Sequence, residues 1–210
     1  MYDFIADLDA YFCEKYANYD KLCVLPGYRM PKMQSTMMRD GREYAYTLPP
    51  ETMRLATQEK KDELLVALKA QMLDTTFSFS FRPYGFFEKI GKAFSKYAFH
   101  KALKTTLEKG NISEEELGKQ LSVEPSVWKA ICKGGFAPTK NLILSIALTA
   151  QLSMDDTTRL LACAEYALDY AIVKDVVVSY LLEQRVFNRG MIDAALQEYR
   201  VSNLFLKEEE

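Results

Sequence analysis

The stretch EELGKQLSVEPSVWKAICKGGFAPTKN, Glu115–Asn141, decides how the rest of the 210-residue chain is read. Leu117, Leu121, Val123, Trp128 and Ile131 fall at helical spacing on either side of a short Ser-Val-Glu-Pro interruption. That pattern predicts two short amphipathic helices, near 113–121 and 125–133, joined by a tight turn. Ser113-x-x-Glu116 is a capping box, in which a hydroxyl and a carboxylate satisfy the free N–H groups of a helix start. Gly134-Gly135 and Pro138 close the second helix and lead into the next.

Beyond Asn141 the pattern stays helical. Helices are expected near 139–151, 154–168, 173–187 and 190–200, with Ser153-x-x-Asp156 opening the second of these. Short loops between successive helices imply a compact bundle. Before residue 86 the pattern is mixed. Ile5, Leu8, Phe12, Tyr16 and Tyr19 recur at three or four and predict an amphipathic helix over 2–20. Asp40-Gly41 tolerates the positive φ angles of a two-residue hairpin turn, which places strands near 33–39 and 42–48. A helix follows Pro49-Pro50 through about Leu73. Phe77, Phe79 and Phe81 then alternate with serines, a period of two that predicts a strand over 76–82, the third of a small sheet. The expected fold class is therefore mainly α with a small β-sheet (α+β). It divides into a small α+β N-terminal part, 1–85, a helical bundle, 86–206, and an acidic tail, 207–210.

The residues from Leu117 to Leu152 carry a resemblance. Leu117, Gly118 and Leu121 stand where the lambda-repressor-like (XRE-type) helix-turn-helix family has Leu, Ala and Leu on its first motif helix. Val123 follows the turn, Trp128 and Ile131 occupy apolar places of the recognition helix, and Gly134 comes after it. Pro138-Thr139 opens the next helix, and Leu142, Ile146, Ala147 and Leu152 repeat the family's spine, with Asp155 and Asp156 starting the last helix. Residues 111–168 thus resemble that family, with the unit proper at about 113–152. A narrower likeness, carried by Tyr166, Ala167, Leu168, Asp175 and Tyr180, is to a small helical domain at the C-termini of some bacterial proteins, including ones with macro or other regulatory domains. Glu165 departs from the glycine usual there. The resemblance implies a helical bundle of helix-turn-helix type and, in the parent family, DNA binding through the second helix. The N-terminal half carries no resemblance.

The side chains on that second helix fit DNA poorly. Reading bases takes paired donors and acceptors, such as arginine to guanine or asparagine and glutamine to adenine. The corresponding positions hold Glu124, Pro125, Val127 and Ala130, and of the polar types only Ser126 remains. Phosphate contact is open to Lys119, Lys129, Lys133 and Lys140. A second basic element lies upstream: Lys89, Lys92, Lys96, His100 and Lys104 form a stripe on a helix expected over 86–109. Residues 82–109 hold 7 basic and 2 acidic side chains, a difference of +5, whereas 111–168 hold 5 and 7, a difference of −2. Positive charge sits beside the helix-turn-helix stretch rather than on it, the reverse of the usual basic footprint.

Catalysis finds no recognisable apparatus. The four cysteines include no CxxC, and the single histidine, His100, completes no zinc set. No phosphate-binding glycine loop or GxSxG occurs. The sequence reading names no catalytic residue, metal or cofactor. An acidic N-terminus without a basic region before an apolar run, and no apolar stretch long enough to span a bilayer, make a cytoplasmic protein without membrane contact the expectation. The expected role is a non-enzymatic bacterial regulatory or adaptor protein. Its degenerate helix-turn-helix bundle would bind a protein partner or a second copy. The alternative is a DNA-binding transcriptional regulator of the XRE type.

Overall fold

The computed structural model describes residues 4–17, 34–39, 41–47, 69, 82–85, 98–170, 172–201 and 204. The described chain is mostly helical. In order it contains α1 (Phe4–Ala17), the strands β1 (Gln34–Arg39) and β2 (Arg42–Thr47), β3 (Arg82–Pro83), α2 (Phe99–Gly110), α3 (Glu114–Gln120) and α4 (Pro125–Cys132). There follow β4 (Phe136–Ala137), α5 (Lys140–Thr149), α6 (Met154–Cys163), α7 (Val173–Glu183) and α8 (Arg189–Glu198).

Helix starts follow the sequence closely. Ser113 Oγ accepts from Glu116 N at 3.3 Å, Thr139 Oγ1 from Leu142 N at 3.2 Å, and Ser153 Oγ from Asp156 N at 3.1 Å. Asn188 Oδ1 does the same for Met191 N at 3.2 Å. Each satisfies a donor that the helix itself cannot.

Helix ends share one device. α2, α3, α5, α6, α7 and α8 each stop at a non-glycine residue with positive φ: Asn111, Ser122, Gln151, Glu165, Arg185 and Arg200. The residue after it donates back across the last turn, as in Ile112 N to Leu107 O at 2.9 Å and Leu152 N to Ala147 O at 2.9 Å. Val186 N to Leu181 O, at 2.8 Å, and Val201 N to Leu196 O, at 3.0 Å, repeat it. This is the left-handed cap that ends many helices, normally built on glycine. Among the described residues only α4 uses one, Gly134. The cap also explains a difference from expectation. The helix expected over 154–168 ends at Cys163, because Glu165 turns left-handed and Tyr166 N returns to Leu161 O.

Two helices form the centre. Leu142–Leu148 of α5 and Lys174–Leu182 of α7 are buried without interruption, as in helices covered on every side. α5 packs against α3, α6 and α7, while α7 packs against α1, α5, α6 and α8. Their first turns are joined by an ion pair between Lys140 and Asp175, whose carboxylate also accepts from Asp169 N at 2.7 Å. Asp175 is 2% exposed, and burial pushes its carboxyl above the usual range against the pull of Lys140.

α1 belongs to this core. Leu8 and Phe12 are completely covered, and Phe12 lies 4.7 Å from the Tyr199 ring centre. Three hydroxyls fix its polar edge: Tyr180 Oη donates to Asp7, Tyr199 Oη to Asp9 and Tyr11 Oη to Glu183, each at 2.7 Å. Lys69 Nζ adds contacts to Asp9 at 2.9 Å and Glu198 at 2.6 Å. The boundary expected between residues 85 and 86 therefore separates elements that share one core.

The hairpin forms, pairing Arg39 with Arg42 and Gln34 with Thr47, with Gly41 at φ 72°. Of the strand expected over 76–82 only Arg82 is described. It pairs with Ala137 of β4, and Pro83 with Phe136, in a sheet separate from the hairpin. Tyr84 N donates to Gly135 O at 3.1 Å in the same register, which leaves Pro83 opposite Phe136 where no N–H is required. Residues 76–81, the helix expected over 51–73 apart from Lys69, and the tail 207–210 lie outside the described residues.

Candidate interaction surface

The face in question is built by α3, the turn 121–124 and α4. Trp128 locks the two helices together. Its indole N–H donates to Glu114 O at 2.8 Å, and its ring lies flush on Gly118. A β-carbon at Gly118 would come within 2.4 Å of Trp128 Cδ1, so the alanine expected there is excluded by the tryptophan opposite. Ser122 carries the turn at φ 53°, and Leu117, Leu121, Val123 and Ile131 are buried beneath it.

α4 packs on α2, α3 and β4. Its outward side shows Glu124, Pro125, Ser126 and Lys129, with Lys133 just past its end, while Val127 and Ala130 are half-buried. Glu124 is the N-cap: its carboxylate accepts from Ser126 N at 3.1 Å, from Val127 N at 3.0 Å and from the Ser126 hydroxyl. Those bonds, the hydroxyl's first, hold the Glu124 carboxyl below its ordinary range. The one polar side chain of reading type, Ser126, thus serves the helix start with its hydroxyl. A fixed carboxylate stands beside it.

The predicted contact residues separate into three groups. Ser126, Lys129 and Lys133 lie on the α4 face, and among the described residues neither lysine has a carboxylate at ion-pair distance. Lys119 and Lys104 are exposed but each lies by a glutamate one turn away, Glu115 at 3.0 Å and Glu108 at 3.9 Å. Lys140 is turned inward to Asp175 and takes no part in the face. Lys89, Lys92 and Lys96 lie outside the described residues. His100, expected on the basic stripe, is half-buried against Gly134 rather than displayed beside Lys104.

Sequence reasoning missed the β3–β4 pairing, which lays the chain at 82–84 along the segment leaving α4. Two-residue strands have no periodicity to detect. Elsewhere, a polar groove of about 610 Å³ runs between the ends of α2, α5 and α7 and the starts of α3 and α6. Its cations, Lys109 and Arg185, sit at the C-terminal ends of α2 and α7, where they complement the helix dipoles. Among the described residues no three His, Cys, Asp or Glu side chains group as a metal site would need. Burial, with the Glu114 carboxylate beside it, pushes the Cys132 thiol far up, so it is no nucleophile. Among the described residues no helix is long and apolar enough to cross a membrane.

Comparisons with family models, with curated proteins and with solved structures return no match.

Proposed function

We propose that this chain is a non-enzymatic regulatory or adaptor protein of bacterial type, whose α3–α4 unit is a degenerate helix-turn-helix used to bind protein. One observation carries the reading: the outward face of α4 offers Glu124, Pro125, Ser126 and Lys129, with the Ser126 hydroxyl bound to Glu124. Base readout needs bidentate donors and acceptors, and that face has none to spare. Two lysines are too few for a strong phosphate grip opposite Glu114, Glu115, Glu116 and Glu124. Mixed charge around half-buried Val127 and Ala130 suits a protein surface better.

A specific observation keeps the second reading in play. α4 packs on α2, α3 and β4, leaving its outer side open, and Lys129 and Lys133 stand on that side. A DNA-binding regulator would use them. Binding to a pool of duplex DNA, measured at low and at moderate salt with wild type and Lys129→Glu, distinguishes the two. The adaptor reading expects no site-selective complex. Site-selective, salt-sensitive binding that Lys129→Glu abolishes would replace it with the DNA reading.

A further inference from the structure

His100 is the only histidine of the chain, and it sits at the junction of α2, the end of α4 and the β3–β4 pair. Its ring meets the backbone directly. A β-carbon on Gly134, at φ 74°, would lie 2.6 Å from His100 Nδ1. Tyr84, Phe99, Ile131 and Phe136 line the rest of the cleft, which has no room for a water molecule. Among the described residues neither ring nitrogen has a hydrogen-bond partner.

The charge that bears directly on the ring is Lys101 of α2, with Lys104 one turn on and Lys133 at the end of α4. Tyr84 is the other titratable neighbour. No carboxylate among the described residues faces the imidazole. An imidazolium there would lack a counter-ion, a hydrogen-bond acceptor and, on the cleft side, solvent.

We propose that His100 is a proton-sensitive wedge: its neutral ring lets the β3–β4 clasp close, and protonation opens it. The ring is half-buried, and when charged it is favoured with its covered edge, which lies on Gly134, Phe136 and Tyr84, turned out to water. Moving it removes the support under the bond from Tyr84 N to Gly135 O. Because β4 leaves directly from α4, the same event frees the C-terminal end of that helix. The device works whatever the α4 face binds.

The sign agrees with the electrostatics. Burial, with Lys101 adding to it, holds the imidazole below its ordinary value. The folded state thus binds fewer protons than the unfolded one near neutrality, so the clasp is stable above the ordinary histidine range and weakens as pH falls through it. The test is amide exchange at Tyr84 between pH 7.5 and 5.5, corrected for intrinsic chemistry, alongside the ring titration of His100 by NMR. The proposal expects His100 to titrate below ordinary histidine, and Tyr84 exchange to rise roughly twofold or more on acidification. His100→Gln should flatten that dependence and His100→Lys should hold exchange fast at both pH values. A His100 titration at or above the ordinary value, or pH-independent Tyr84 exchange in the wild type, overturns it. Because both wild-type readouts decide the matter, failure of either variant to fold leaves the test intact.

Discussion

At the scale of residues, the chain repeatedly puts side chains where a glycine would be easiest. Glu165, at φ 65°, occupies the left-handed cap that ends α6. A left-handed conformation costs an ordinary residue about 1–2 kcal/mol, partly offset by glycine's greater freedom in the unfolded chain. Glu165→Gly should therefore stabilise the protein by about 0.5–1 kcal/mol, seen as a raised denaturant midpoint at constant slope; an unchanged or lowered midpoint would contradict the cap. Gly118 is the converse case, since the space a β-carbon would take there is filled by Trp128. Gly118→Ala should cost about 1–3 kcal/mol and shift the emission of the only tryptophan, whereas a neutral substitution would mean that the indole does not lie there. Such details explain what was legible. The capping serines at 113 and 153 announce themselves by spacing alone. The left-handed caps do not, because Ser122, Gln151, Glu165, Arg185 and Arg200 carry no glycine signal and are fixed by the apolar residue that follows them.

At the scale of elements, amphipathic period located the helices, while contact between them was largely hidden. Leu103 and Leu107 recur four apart on α2, and both are buried. Nothing in the spacing of Lys140 and Asp175 reveals that they meet across 35 positions. The expectation that Lys140 might hold a phosphate came from its place in the motif, and the partner that claims it lies on α7. Asp175→Asn should cost about 3 kcal/mol, because a half-covered ammonium is left without its anion. Asp175→Leu combined with Lys140→Met should recover much of that loss in a double-mutant cycle; additive losses would show that the pair is not coupled. The reading face itself was legible as a list of side chains. That Ser126 turns its hydroxyl to Glu124 was not, since it depends on the geometry of a cap.

At the scale of the molecule, one core includes elements from both ends of the chain. The helix over 2–20 was legible from Leu8 and Phe12, yet its placement in the core depends on Tyr180 and Tyr199, more than 170 positions from the aspartates they bind. Leu8→Ala should lower the stability of the whole bundle by about 2–5 kcal/mol, moving a single cooperative transition. A bundle transition left in place would show that α1 is a separate unit. Tyr180→Phe, which removes the bond to Asp7, should cost about 1 kcal/mol by the same readout. The α3–α4 face, proposed above as a degenerate helix-turn-helix, offers no side chains suited to reading DNA. The most direct test is fluorescence anisotropy of a random duplex pool titrated with the full chain across a salt series. A protein that grips phosphates loses affinity with a log–log slope near −0.9 per contact. The account predicts no saturable binding at about 50 mM salt, the low end at which such grips are strongest. Saturable binding with a steep slope, enriched for one sequence and lost in Lys129→Glu, would contradict it.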